Sequence, residues 1–482
     1  MPQKKNSSND SEKPQNAYFL SLELENVRCF GEKQKIDFSD GNYKPRQWTI
    51  ILGDNGTGKT TLLQSMVASL PTKFSFNQIL VLDKPVRVSD SVSPKFPVID
   101  DRYPNWHLTR SGQIEFIEVE AVFSYRNNLR NENEKTDEII KFGFQLKTEG
   151  QVSLKTDKYI KGIQNSVCFA YGASRKAGET SLSEQNEESH YITLFDETAL
   201  LINPEEWLLQ ADYASKRLYN STGKRTQKFA EKRAQRLESV KNTLINILPD
   251  VDQIRFTETE RNFSSHRRSN NVVTIKPIVE FHTPYGWVEA KDLSLGYRTS
   301  MAWMVDFASR MFDLYPESEN PLAEPAVVLI DEIDLHLHPK WQRELLDYLS
   351  NLFPNTQFIV TTHSPLIVQS AAARDANIVV CRREGDHVVI DQSLEAVRGW
   401  RADQILTSDL FDLPSTRDTE IEKLEKQRRE ILSKAKVTKA DEKKLKMLSA
   451  ELDALPVNEE TEDDKAMDII RRAAQFFQNE NS

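Results

Sequence analysis

The octet Gly53-Asp54-Asn55-Gly56-Thr57-Gly58-Lys59-Thr60 decides the reading of this chain, because it has G-x-x-x-x-G-K-T spacing between an apolar strand and an apolar helix. The strand is Trp48-Thr49-Ile50-Ile51-Leu52, and the helix opens at Thr60-Thr61-Leu62-Leu63. Glycines let such a loop curl until its backbone N–H groups face phosphate oxygens. Lys59 supplies a mobile positive charge near the β- and γ-phosphates, and the Thr60 hydroxyl reaches Mg²⁺. The stretch from Gly53 to Thr61 therefore implies a site for a nucleoside triphosphate and Mg²⁺.

Upstream, residues 18–27 alternate apolar and polar from Leu20 onward, as a half-buried strand does. A second strand near Gln34 to Phe38 and the strand before the octet are expected to complete one N-terminal sheet. Between them Arg28 stands at a strand end, either reaching nucleotide or serving as an ordinary surface arginine.

Downstream, Ala326-Val327-Val328-Leu329-Ile330-Asp331-Glu332 is a continuous apolar run of the buried parallel type that ends in two carboxylates. Burying acids at a strand end without a task is costly. Asp331 is placed to hold Mg²⁺ and Glu332 to orient and polarise an attacking water. The histidines of Leu335-His336-Leu337-His338 could form a metal pair, but no third ligand stands nearby. Thr356 to Pro365 reads as a strand delivering His363 at its C-terminal end, the edge where ligands gather in parallel sheets. Leu293-Ser294-Leu295-Gly296-Tyr297-Arg298 opens an amphipathic helix, and a serine there presents a hydroxyl beside free N–H groups.

The middle of the chain carries less chemistry. Asp83 to Pro104 reads as an irregular loop, and strand patterns return at 113–125, 139–146 and 166–171. The last runs into Gly172-Ala173-Ser174-Arg175, where the arginine either meets phosphate or belongs to a turn. From Pro204 the pattern is helical, with Glu205 and Glu206 in the first turn. Between Lys216 and Lys241 nine Lys/Arg stand against Glu231 and Glu238, with Arg261, Arg267 and Arg268 beyond. Such a stretch is either a solvated helical arm or a contact surface for nucleic-acid phosphates.

Composition sets the outer bounds. The 482 residues are 38% hydrophobic and 28% charged, with a net charge of -10, which excludes a chain basic throughout for nucleic acid. No apolar run is long enough for a membrane span, and residues 1–16 carry no apolar segment after their lysines. Three scattered cysteines, Cys29, Cys168 and Cys381, fit a reducing cytoplasm.

Taken together, GDNGTGKT, LSLGY, VVLIDE and TTHSP resemble, in that order, the ABC-type ATPase heads of the SMC, RecF and OLD group. The resemblance implies an α/β P-loop NTPase head that closes as a two-fold homodimer on ATP. Each ATP would lie between one subunit's phosphate loop and the other's Ser294. Lys59 and Thr60 would bind phosphate and Mg²⁺, Asp331 would bind Mg²⁺, and Glu332 would be the base. Asp334 would belong to the dimer-facing loop and His363 would sense the γ-phosphate. LSLGY departs from the common LSGGQ, as signatures in the RecF and OLD branches do.

About 230 residues separate Thr61 from Leu293, too few for long coiled-coil arms, and no Asp-x-Asp of Toprim type follows His363. Nuclease chemistry is therefore not expected here. The stretch from Ala402-Asp403-Gln404-Ile405 onward resembles the PtuA ATPases of Septu-type antiphage systems, which work with an HNH-type nuclease. Helices are expected at about 416–435 and 439–454, the second opened by Thr438 and Asp441 as in a capping arrangement. An acidic link at 456–464 leads to a last helix with Ile469, Ile470, Ala473, Phe476 and Phe477, whose apolar stripe either meets a partner or packs on the hairpin. The expected organisation is a tail at 1–16, a head at 17–395 with a basic helical insertion at 204–248, and a C-terminal helical, partner-binding region at 396–482. Two rival readings are a RecF-like DNA-repair clamp and an autonomous OLD-like nuclease.

Overall fold

Strands that are buried on both faces and strands that alternate separate here into two different sheets. The computed structural model describes residues 17–70, 86–87, 116–126, 137–147, 151–156, 166–178, 190–219, 224–248, 250–263, 272–392, 397–411, 413, 415–434 and 438–453. The first sheet has the order β17–β16–β3–β15–β14–β8. Its parallel members are β3 (Trp48–Gly53), β8 (Cys168–Tyr171), β14 (Ala326–Ile330), β15 (Thr356–Thr361) and β16 (Asn377–Glu384). At one edge β17 (His387–Asp391) is antiparallel. Every residue of β14 and β15 is buried, as a sheet covered on both faces requires.

The second sheet is antiparallel, in the order β2 (Gln34–Asp37), β1 (Ala17–Glu25), β5 (Phe116–Arg126), β6 (Asp137–Lys147), β7 (Gln151–Thr156) and β4 (Val86–Arg87). This corrects the expectation that β1, β2 and β3 share one sheet. Successive side chains of β3 point to opposite faces and both faces are apolar, so Trp48, Ile50 and Leu52 enter one core while Ile51 enters another. That pattern demands a central strand, and β3 lies between β15 and β16.

The two cores lie on opposite faces of the parallel sheet. On one, α1 (Lys59–Ala68) buries Leu62, Leu63, Met66 and Val67 together with Phe19, Leu22 and Phe123 of the antiparallel sheet. On the other, α4 (Leu295–Leu314) is the central helix, burying Met301, Met304, Val305, Ala308 and Met311. Helices α2 (Pro204–Tyr219), α3 (Lys224–Ile247), α5 (Pro339–Leu352) and α6 (Pro365–Ala372) share this core. Small additions are the pair β9 (Lys176–Ala177) and β10 (Leu200–Leu201), and the sheet of β11 (Gln253–Phe263), β12 (Val272–Thr283) and β13 (Gly286–Glu289).

Helices α2 and α3 fall within the stretch 204–248, and the second half of α3 packs against the head: Leu237, Val240 and Leu244 are buried. Its Arg236 lies between the rings of Trp207 and Phe312, 5.4 and 5.0 Å from their centroids, and donates to Asp313 Oδ1 at 2.9 Å and to the Ser309 carbonyl at 2.8 Å. Lys232 pairs with Glu317, Lys241 with Glu238 and Lys216 with Asp212. Much of the described basic charge is thus already answered by carboxylates. Arg267 and Arg268 lie outside the described residues.

The chain divides into two units, Met1–Phe411 and Asp412–Ser482. The first extends past the boundary expected at residue 395, because Ile405 of α7 (Ala402–Leu406) and Leu410 are buried in the head's core. In the second unit α8 (Thr419–Leu432) and α9 (Lys439–Asp453) bury Ile431, Leu448 and Leu452. The Thr438 N–H donates to Asp441 Oδ2 at 3.1 Å, and the Asp441 N–H returns a bond to Thr438 Oγ1 at 3.2 Å, which is the expected capping arrangement. The tail at 1–16, the acidic link and the last helix lie outside the described residues. Among the described helices none is long and apolar enough to cross a membrane.

Candidate active site

The phosphate loop adopts its shape because its glycines are sterically required. Gly53, Gly56 and Gly58 have φ of 144°, 80° and 81°. A Cβ at Gly53 would lie 2.5 Å from the Cys381 carbonyl, and one at Gly58 would lie 2.3 Å from Cys29 Sγ. Gly58 is the N-cap of α1, no side chain caps that end, and its first turn holds no acid. The N–H groups of that turn are therefore open to an anion. Lys59 is 6% exposed and donates through Nζ to the Gly53 and Asp54 carbonyls at 2.8 and 2.9 Å. Burial pulls its pKa down from the usual lysine value against the nearby Asp331. Thr57 Oγ1 ties the loop to the Asp54 carbonyl at 2.8 Å, leaving Asp54, Asn55 and Gly56 exposed, while Thr61 is buried in α1.

Across the sheet edge, β14 delivers Asp331, 5% exposed, to the same place. Asp331 accepts from Thr60 Oγ1 at Oδ2 and from Thr361 Oγ1 at Oδ1, both at 2.6 Å. This arrangement offers a hydroxyl and a carboxylate oxygen side by side, a hard oxygen donor set that fits Mg²⁺. Glu332 follows in the left-handed region at φ 49°, a conformation that costs a non-glycine residue about 1–2 kcal/mol. Its N–H donates to Thr361 Oγ1 at 2.7 Å. Asp334 accepts from Thr362 Oγ1 at 2.5 Å and from the His363 N–H at 3.4 Å, so the turn after β14 is fastened to the end of β15. His363 itself is exposed.

Ser294 is the N-cap residue of α4, makes no side-chain cap bond and is exposed, as is Leu295 beside it. None of its described hydrogen bonds joins it to Lys59, Thr60 or Asp331 of its own chain. The next glycine, Gly296, packs against the turn after β14: a Cβ there would lie 2.3 Å from the His336 carbonyl. His338 accepts the Lys340 N–H at 3.3 Å and so caps α5, which gives it a structural task in place of the metal pair.

Two arginines occupy places the sequence left open. Arg28, half-buried with φ 48°, donates to Gln64 Oε1 of α1 at 3.1 Å, which sets it on the flank of the phosphate-loop helix. Arg175 is 2% exposed and points away from solvent into the turn behind Asp331 and Glu332. Sequence reasoning missed Thr361, whose hydroxyl bridges Asp331 and Glu332. Its only signal was a hydroxyl residue following the apolar run Phe358-Ile359-Val360 at the strand's end.

Phosphate loop, Asp-Glu strand end and the Thr-Thr-His strand end thus share one edge of a parallel sheet, and the fold is α/β with a P-loop at that edge. Residues 49–369 match the family described as an AAA domain, putative AbiEii toxin, Type IV TA system. A retron Vc95 probable ATPase from Vibrio cholerae is 26% identical over 393 residues, covering 74% of this chain and 73% of its own. Septu protein PtuA from Bacillus mycoides is 24% identical over 405 residues, 83% of this chain. That alignment covers 45% of the PtuA sequence, so this chain spans less than half of that relative. Among solved structures, an SMC head bound to the C-winged helix domain of ScpA overlays with a TM-score of 0.42 at 17% identity, over 78% of this chain and 97% of that one.

Proposed function

The chain belongs to that AAA-domain family, and from this premise we propose that it is a Mg²⁺-dependent ATP hydrolase that closes as a homodimer on ATP and regulates an HNH-type partner nuclease in defence against phage. The observation that carries the ATPase reading is the meeting of Thr60, Asp331 and Thr361 beside Lys59. In this reading the N–H groups of Gly56 to Thr61 and the Lys59 ammonium hold the phosphates, while Thr60 and Asp331 hold Mg²⁺. The metal, when bound, neutralises charge on the phosphate oxygens. Glu332 takes a proton from the attacking water, and His363 stands at the γ-phosphate end. Ser294 serves the site of the other subunit, in keeping with its exposure and its lack of a cap bond.

Defence enters through the names of two relatives, a Septu protein and a retron ATPase. The partner nuclease rests on the resemblance of the region from α7 onward to Septu-type ATPases, and the cytoplasm on the cysteine usage. Purified protein with Mg²⁺ and ATP should release phosphate, stop doing so with EDTA, and leave DNA uncut. A chain that releases no phosphate alone, with DNA or with its co-expressed neighbour would overturn the reading.

A further inference from the structure

Arg175 is the most deeply buried cation near the site, and the chemistry above gives it no task. It lies in the turn after β8, and its guanidinium bonds three backbone carbonyls. Nη1 donates to Gly172 at 3.1 Å and to Asp331 at 2.6 Å, and Nη2 donates to Glu332 at 2.9 Å. Its Nε is buried without a hydrogen-bond partner, a cost of ordinary size that the three bonds must outweigh. Asp331 and Glu332 are consecutive, so gripping both carbonyls fixes the two peptide planes that flank the Glu332 Cα and hence the direction of its Cα–Cβ bond.

That direction needs fixing. Glu332 holds a left-handed φ of 49°, which persists only where the surroundings over-determine it. Thr361 holds its N–H from one side, and Arg175 holds its carbonyl from the other. We propose that Arg175 is a positioning residue that sets the aim of the Glu332 carboxylate at the attacking water, without touching nucleotide. The planar fork is what the task requires, since a lysine brings a point charge that cannot span three carbonyls in fixed geometry. Burial takes the guanidinium pKa down to about 10, and the charges of Asp331, Asp334 and Glu332 counter that pull.

The inference rests on the ATPase reading, and Arg175→Lys tests the two separately. Wild-type turnover tests the reading itself. Given that turnover, Arg175→Lys should lower kcat by about 10²-fold, the order of loss from misplacing a catalytic group by an ångström, while changing the Kd for a fluorescent ATP analogue less than about threefold. In a Glu332→Gln background the same change should alter the residual rate less than about threefold, because the group it aims is already gone. Arg175→Gln, which keeps donors but no charge, serves the same comparison where the lysine variant does not fold. Wild-type kcat in Arg175→Lys, equal losses in kcat and nucleotide affinity, or a full further loss in the Glu332→Gln background would each overturn the proposal. So would failure of both variants to fold, which would make Arg175 a fold element alone.

Discussion

The Thr60 hydroxyl and the Asp331 carboxylate, 271 positions apart in sequence, meet at 2.6 Å where α1 begins and β14 ends. The other Asp331 oxygen is held by Thr361, so both oxygens of a nearly buried carboxylate are satisfied by hydroxyls from neighbouring strand and helix ends. Asp331→Asn, similar in shape but with one donor where an acceptor stood, should fold and bind ATP yet lose Mg²⁺-stimulated turnover by at least about 10²-fold. Phosphate release across a Mg²⁺ titration is the measurement. A wild-type titration curve would remove Asp331 from the metal site.

Lys59 and Glu332 act at different stages, and their variants should separate. Lys59→Ala should abolish ATP binding by removing the buried ammonium, whereas Glu332→Gln should bind ATP normally and turn over at least about 10²-fold more slowly. Binding by a fluorescent nucleotide and turnover by phosphate release distinguish them. Equal turnover in Glu332→Gln and wild type would rule out the base.

The motifs that made this site legible were those in which a residue type is demanded by its neighbours. Gly53 and Gly58 were readable because the loop tolerates no Cβ against Cys381 and Cys29, and the five buried residues of β14 because an unbroken apolar run needs cover on both faces. Two features were not readable. Arg175 works through backbone carbonyls, which carry no sequence signal, and Arg236 looked like one more charge in a basic run until its rings and carboxylate were seen. The sheet containing β3 was misread because a short apolar run does not state its neighbours.

Ser294 should matter across two subunits. Ser294→Arg and Lys59→Ala should each be nearly inactive alone, and a mixture should recover ATPase activity through heterodimers that keep one intact composite site. Heterodimers shown by differential tagging but without recovered turnover would contradict the trans arrangement.

The basic stretch divides into anchored and testable charges. Arg236→Ala should destabilise the head, because it empties the space between Trp207 and Phe312 and breaks the bond to Asp313; a loss of about 1–3 kcal/mol in urea unfolding is expected. Reversing Lys224, Arg225 and Lys228 should spare the ATPase and flatten the salt dependence of any DNA binding. An unchanged salt slope would leave these residues as solvated helix.

Residues 456–482 carry the apolar stripe that either meets a partner or packs on the helical hairpin, and a partner-facing stripe has a testable consequence. Their removal should release a co-expressed neighbouring nuclease during purification while leaving ATP turnover within about twofold of wild type, since the head's core is complete at Leu410. Full copurification after truncation would move the docking surface elsewhere.

Gly296 leaves no room for a side chain between the start of α4 and the His336 carbonyl. Ser294 at the start of α4 and the turn carrying Glu332 and Asp334 therefore meet backbone to backbone. In the proposed homodimer this contact would link the Ser294 that serves one nucleotide to the Glu332 that serves the other.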